Sequence, residues 1–134
     1  MAIVHYDVVF DEKMRIPTIE QIKARLEERI GLKTVVAKDR LDKDVSHSWP
    51  HIGKVRESGT LECDECDDSD LEMTVGTTGV RISFVATSIN PYFRDSTLAA
   101  LIDLGGKWDA KLPPMVGKKW GELSRAERQI GGHH

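Results

Sequence analysis

Residues 59–89 read GTLECDECDDSDLEMTVGTTGVRISFVATSI, and this stretch decides the fold class. Apolar and polar residues alternate along it, which is the pattern of half-buried strands. Two clusters of turn-forming residues, at 67–70 and 76–79, divide it into three predicted strands, 59–66, 71–75 and 80–89. One side of this meander is predicted to be apolar, formed by Leu61, Cys63, Leu71, Met73, Val75, Val80, Ile82, Phe84 and Ala86.

The residues before the meander predict a β-α-β unit. Residues 3–10 are apolar on both faces, which favours an inner strand that is covered on two sides. A helix is predicted to begin after Thr18, whose side chain would form a capping box with Gln21, and to end at Gly31. A short strand at 32–38 follows. The buried stripe of the helix is predicted to contain Ile19, Ile22, Leu26 and Ile30.

A second helix is predicted directly after the meander. Asn90 can cap the free amides of a first turn, and Pro91 is pre-set for that turn. The helix would end at the glycine pair 105–106. The tail that follows could finish in a short helix capped by Ser124 and Glu127. The buried face of the second helix is predicted to contain Phe93, Thr97, Leu98, Leu101, Ile102 and Leu104.

This element order predicts an α+β fold, with a mostly antiparallel sheet and helices packed on one face. The 134 residues suit one domain. Residues 39–58 lack periodicity and are predicted to form a long loop. We expect a single domain at 1–106, a C-terminal extension at 107–130 that packs back on it, and a tag remnant at 131–134.

Composition narrows the class of protein. The net charge is −3, and no apolar run approaches the ~20 residues that a bilayer helix needs. The first ten residues lack the basic stretch and cleavage site of a signal peptide, so a cytoplasmic location is expected. The net negative charge and the lack of surface aromatics argue against nucleic-acid binding. No phosphate loop, nucleophile elbow or HExxH motif is present, which favours a non-enzymatic protein.

Two histidines and two cysteines have a spacing, H-x3-H-x11-C-x2-C, that could complete a tetrahedral zinc site. They are His47, His51, Cys63 and Cys66. In the other interpretation, Cys63 packs inward, Cys66 sits at a turn, and the histidines are ordinary loop residues. We favour this second interpretation and therefore expect no cofactor, with zinc as the alternative.

Charge is segregated along the chain. Residues 57–72 contain eight carboxylates and neither Lys nor Arg, whereas residues 107–128 contain six basic and three acidic residues. Such a block could steer a basic protein partner. It could equally keep an exposed strand from pairing with other chains. The predicted partner-binding residues are Glu62, Asp64, Glu65, Asp67, Asp68, Asp70, Trp108 and Trp120.

The leading hypothesis is a protein that binds another protein, with an inhibitor or immunity protein against a toxin or nuclease as the best candidate. The alternative is a small-molecule or metal-binding domain in which the 39–58 loop forms a lid, and a small enzyme is a third class. Residues 97–108 and 112–123 resemble the ends of small bacterial proteins, but this resemblance carries no functional residue over.

Overall fold

The computed structural model describes residues 3–11, 13–38, 55–77, 79–85, 90–109 and 111–129. The strands are β1 (Ile3–Val9), β2 (Val35–Lys38), β3 (Val55–Cys63), β4 (Ser69–Gly76) and β5 (Gly79–Val85). The helices are α1 (Ile19–Ile30), α2 (Pro91–Asp103) and α3 (Arg125–Gln129), with 3-10 turns at Pro114–Gly117 and Trp120–Glu122.

The five strands form one sheet in the order β1-β5-β4-β3-β2, and every neighbouring pair is antiparallel. The predicted α+β class is confirmed. The inward residues of β3 and β4 that the alternation selected, and Val80 and Ile82 of β5, are buried with both long helices in one core, so α1 and α2 cover the same face. The side chain of Phe84 lies outside what the structure describes. Because β1 and β2 lie at opposite edges, the connection through α1 spans the whole sheet.

Helix α1 begins and ends where its capping residues predict. Gln21 N donates to Thr18 Oγ1 at 3.2 Å, and Thr18 N donates to Gln21 Oε1 at 2.9 Å, which completes the capping box. Gly31 ends the helix at a φ of 72°, a left-handed conformation that glycine adopts without a Cβ clash. The β3 residue Glu57 also accepts a hydrogen bond from Ile19 N at 2.6 Å.

Helix α2 begins as predicted at Asn90 and Pro91, but it is buried on more than one face. Polar residues such as Asp95 and Ser96 are buried along with the apolar ones. The cause is that α2 contacts α1 and also the 3-10 turn at Pro114–Gly117. The extension of the chain therefore covers a side of α2 that the sequence pattern leaves to solvent.

An ion-pair cluster joins the two long helices. Asp103 accepts from Arg29 Nε at 2.6 Å, from Arg29 Nη2 at 2.9 Å and from Arg25 Nε at 2.8 Å. The hydrogen bonds from Arg29, and then those from Arg25, hold the pKa of the Asp103 carboxyl below its ordinary value. This cluster secures the end of α2 against α1.

Two predictions about the strands are wrong. Within the described residues β1 is an edge strand and not an inner one, because only β5 runs along it, and Val9 is 53% exposed. Lys107 N makes a single bridge to Val9 O at 2.9 Å. The predicted loop is also too long, since residues 55–58 already belong to β3.

Several predictions lie outside the described residues, namely the remaining loop positions 39–54, Ala86 and the tag remnant.

The tail does contribute to the core, through Met115, Val116, Trp120 and Leu123. The predicted capping of the last helix is confirmed, since Ser124 N donates to Glu127 Oε1 at 2.9 Å and Glu127 N to Ser124 Oγ at 3.1 Å. The domain boundary at residue 106 stays a prediction. None of the described helices is long and apolar enough to cross a bilayer.

Candidate protein-binding surface

The β3–β4 hairpin gathers the carboxylates that the sequence assigned to partner binding. Buried and solvent-facing residues alternate on both strands, so three carboxylates project from the sheet face opposite the helices. Four more are exposed in the connecting turn, and one of these, Asp67, is left out of the set below because it is hydrogen-bonded to Asn90. We call the remaining six side chains the acidic hairpin surface. It contains Glu62, Asp70 and Glu72 from the strands and Asp64, Glu65 and Asp68 from the turn.

None of these six carboxylates forms an ion pair with another residue in the described part of the chain, whereas seven carboxylates elsewhere do. Cations pair with carboxylates on both long helices, on β1 and in the tail. The pairs are Glu20 with Lys38, Glu27 with Lys23, Glu28 with Arg25, Asp103 with Arg25 and Arg29, Asp95 with Arg94, Asp7 with Arg81, and Glu127 with Lys118. Within the described part of the chain, the acidic hairpin surface therefore carries six negative charges without a paired cation.

The backbone of the turn is held in an unusual conformation. Asp67 and Asp68 have φ values of 58° and 52°, in the left-handed region that most side chains avoid and that Asp tolerates better. Asp68 N donates to Asp64 O at 3.0 Å, which closes the turn. Ser69 Oγ donates a hydrogen bond to Cys66 O from inside the protein. The carboxylates of the turn thus project from a backbone that is fixed internally.

Asn90 ties this turn to two other elements. Its Nδ2 donates to Asp67 Oδ2 at 2.7 Å and to Arg128 O at 3.0 Å, and its backbone N donates to Ser69 Oγ at 2.8 Å. The sequence identified Asn90 only as a helix cap, and the cap is present, since Oδ1 accepts from Tyr92 N at 2.9 Å. Asp67 is exposed like its neighbours in the turn, but its carboxylate is hydrogen-bonded to Asn90.

The two cysteines lie under the turn with free thiols. Cys63 and Cys66 are 1% and 0% exposed. A hydrogen bond from the Cys66 thiol, with backbone amides of Cys66 and Glu65 adding to it, lowers the pKa of the Cys63 thiol. The same hydrogen bond, followed by burial, raises the pKa of the Cys66 thiol.

Only two of the four candidate zinc ligands lie within the described residues. His47 and His51 lie outside the described residues. Within the described ranges, no group of three or more His, Cys, Asp or Glu side chains could hold a metal ion. Cys63 packs inward, in agreement with the interpretation that we favoured, and the zinc alternative stays a prediction.

The two tryptophans in the predicted set pack against other aromatic rings. Trp120 is only 8% exposed, and its ring packs 5.4 Å from the Tyr92 ring, with the Arg128 guanidinium 5.1 Å above it. Trp108 is half-buried and meets Tyr6 of β1 edge to face at 5.1 Å, so β5 separates it from the hairpin.

A cavity of about 490 Å³ lies between the start of α2 and the tail. Its walls include prolines and Met115, and its charged residues are neutralised, because Arg94 pairs with Asp95 and Glu127 with Lys118. A smaller cavity of about 350 Å³ lies beside Trp108. Neither cavity combines an unpaired charge with a deep apolar wall, so the acidic hairpin surface remains the strongest candidate site.

We expect the free energy of unfolding to fall at alkaline pH because of Tyr92. Burial raises the pKa of Tyr92 to about 12, against an unfolded value of ~10. The folded state therefore favours the protonated phenol, whose hydroxyl donates to Lys118 O. This contribution to stability is complete below pH ~10 and is lost as the pH rises toward ~12.

Urea unfolding of wild type, Tyr92→Phe and the control Tyr6→Phe between these pH values would measure the effect. Tyr92→Phe should flatten the alkaline fall in stability, whereas Tyr6→Phe should keep it. Parallel curves for all three proteins would contradict the assignment.

Comparisons with models of known protein families, with curated proteins and with solved structures found no match for this chain.

Proposed function

We propose that this protein binds a basic protein partner through the acidic hairpin surface. The observation that carries the proposal is that six carboxylates on one hairpin form no ion pair within the described part of the chain, while seven carboxylates elsewhere are paired. A surface that only needed solubility would gain from interspersed charges of both signs. An uncompensated field attracts cations and raises the association rate of a basic partner.

The register of the hairpin supports the proposal. Glu62 and Asp70 lie directly opposite each other across β3 and β4, and like charges at such positions destabilise a sheet. A hairpin that serves only the fold has no reason to keep this repulsion. A cationic partner would relieve it on binding, so the arrangement suits an interface better than a free surface.

Within the class of protein-binding proteins, an inhibitor or immunity protein against a toxin or nuclease fits best. A nuclease has a cleft that binds phosphates with Lys and Arg, and a row of carboxylates can occupy such a cleft. The tethered turn adds pre-organisation, because the carboxylates of the turn lose little freedom when they bind. We place this protein in the cytoplasm as part of the same proposal.

The test uses two charge variants with the same net change. The first replaces Asp64, Glu65, Asp68, Asp70 and Glu72 with Asn or Gln and spares Asp67, which holds Asn90. The second replaces five exposed carboxylates outside the hairpin, namely Asp11, Glu20, Glu28, Asp109 and Glu122. Both variants and the wild type would be immobilised, and proteins that they retain from host lysate would be identified by mass spectrometry.

A true partner should be retained by the wild type and the second variant and lost from the first. With the purified partner, stopped-flow binding should show slower association for the first variant and a weaker dependence on salt, because exposed charges are screened over ~8 Å at physiological ionic strength. Equal retention by both variants, or an association rate that is flat with salt, would reject the proposal.

A further inference from the structure

The two buried cysteines form a pair beneath the turn of the acidic hairpin surface. Their reactivity can be considered separately from the carboxylates of that surface. Cys63 ends β3 and Cys66 lies three residues further along the turn. Both thiols are free and buried. The part of the chain that the structure describes offers them no third metal ligand. The pair is therefore a dithiol held at close range inside a surface turn.

The backbone of this turn holds the two cysteines about as far apart as a disulfide can span. Cys66 N donates to Cys63 O at 3.2 Å, which is the closing hydrogen bond of a β-turn. Such a turn keeps its end Cα atoms within about 7 Å. Disulfides span Cα separations of ~4.4–6.8 Å, so only the two sulfur atoms have to approach.

We propose that Cys63 and Cys66 are a reversible thiol–disulfide pair, which a small disulfide such as oxidised glutathione oxidises when the β3–β4 turn opens. The proposal does not depend on the partner-binding function. Cys63 acts as the attacking thiol, because the hydrogen bonds to its sulfur lower its pKa. Cys66 acts as the resolving thiol.

The exchange balances in two steps. The Cys63 thiol loses its proton to water, and its sulfur attacks one sulfur of oxidised glutathione, which expels a glutathione thiolate and leaves a mixed disulfide. The Cys66 thiol then loses its proton and attacks Cys63 Sγ, which expels the second glutathione thiolate. The two thiolates take up the two protons. The protein loses two electrons and two protons, and glutathione is reduced.

Burial sets the rate of this reaction. With the two thiols 1% and 0% exposed, glutathione can reach them only when the turn opens. The turn is ordered by its own hydrogen bonds, but it can open briefly and locally because Asp64 and Glu65 are exposed and two of its residues have left-handed φ values. The main restraint is Ser69, which bonds Cys66 O on one side and Asn90 N on the other.

The first experiment incubates the folded wild-type protein with oxidised glutathione. Samples are quenched by alkylation under denaturing conditions and analysed by mass spectrometry. We expect the oxidised protein to be two hydrogen atoms lighter than the reduced protein before alkylation. No glutathione should remain attached at the end of the reaction. The oxidised protein should melt a few degrees higher, because the bond restricts the unfolded turn, and dithiothreitol should restore the original melting curve.

The second experiment tests whether oxidation requires opening of the β3–β4 turn. Ser69→Ala should oxidise several-fold faster than wild type, because it removes the restraint on the turn. Ile22→Val is the matched control, since it destabilises the core on α1, away from the turn. Its oxidation rate should stay within about twofold of the wild-type rate.

Three results would overturn the proposal. The first is a folded protein that keeps both thiols while the urea-unfolded chain is oxidised. The second is a reaction that stops at the mixed disulfide with glutathione. The third is an equal acceleration by Ser69→Ala and Ile22→Val, which would mean that oxidation follows global unfolding and not the opening of the turn.

Discussion

Replacing Leu26 with Ala should lower the free energy of unfolding by about 2–5 kcal/mol, and Leu101→Ala should have an effect of the same size. Both side chains are 0% exposed and lie in the shared core, on α1 and α2 respectively. Each substitution removes buried methyl groups and leaves a cavity that the sheet cannot fill. Urea denaturation followed by circular dichroism measures both effects, with an unchanged m-value as the sign of a two-state transition.

Glu28→Ala is the control for this prediction, because Glu28 is exposed and pairs only with Arg25 on its own helix. Its cost should not exceed about 0.5 kcal/mol. The helical pattern also places Glu27 on the solvent side, but Glu27 is not a neutral position. It accepts from Thr34 N at 2.7 Å and pairs with Lys23 at 3.0 Å. Equal and small effects at Leu26, Leu101 and Glu28 would contradict this architecture.

Asn90→Ala should destabilise the protein by about 1–3 kcal/mol. The substitution removes the cap of α2 and both Nδ2 hydrogen bonds, and it leaves the Arg128 carbonyl without this donor in a partly buried site. Because Asn90 joins the turn, α2 and the last helix, amide hydrogen exchange should accelerate in all three elements. Acceleration confined to α2 would mean that Asn90 acts only as a cap.

Two further substitutions separate the cap from the tether. Asn90→Ser keeps a hydroxyl acceptor for Tyr92 N but loses the Nδ2 donors, so its cost should be smaller than that of Ala. Asn90→Asp keeps the acceptor but places a carboxylate against Asp67 Oδ2 and Arg128 O, where Asn90 donates. Its cost should equal or exceed that of Ala. An Asp variant as stable as wild type would show that the tether contributes nothing.

Local signals in the sequence determined much of the secondary structure. The capping box of Thr18, the left-handed Gly31 and the Asn90–Pro91 start act through residues a few positions apart, so their geometry can be read from the chain. The alternation at 59–85 likewise selects the buried side of the meander, because side chains on a strand point to opposite faces in turn. The charge of the hairpin is also a property of the sequence alone.

Only the tertiary structure decided the strand order, the burial of α2, the pairing of the carboxylates and the long-range contacts of Asn90. The apolar residues on both faces of β1 cannot tell an edge strand from an inner one, because strand order depends on which distant segments pair. The burial of α2 on more than one face depends on the tail, which contacts it from beyond the helix. The fact that the hairpin carboxylates lack cationic partners while others have them depends on side chains brought together by folding. Asn90 reaches Asp67 and Arg128 across 23 and 38 residues, and no local pattern encodes contacts of that range.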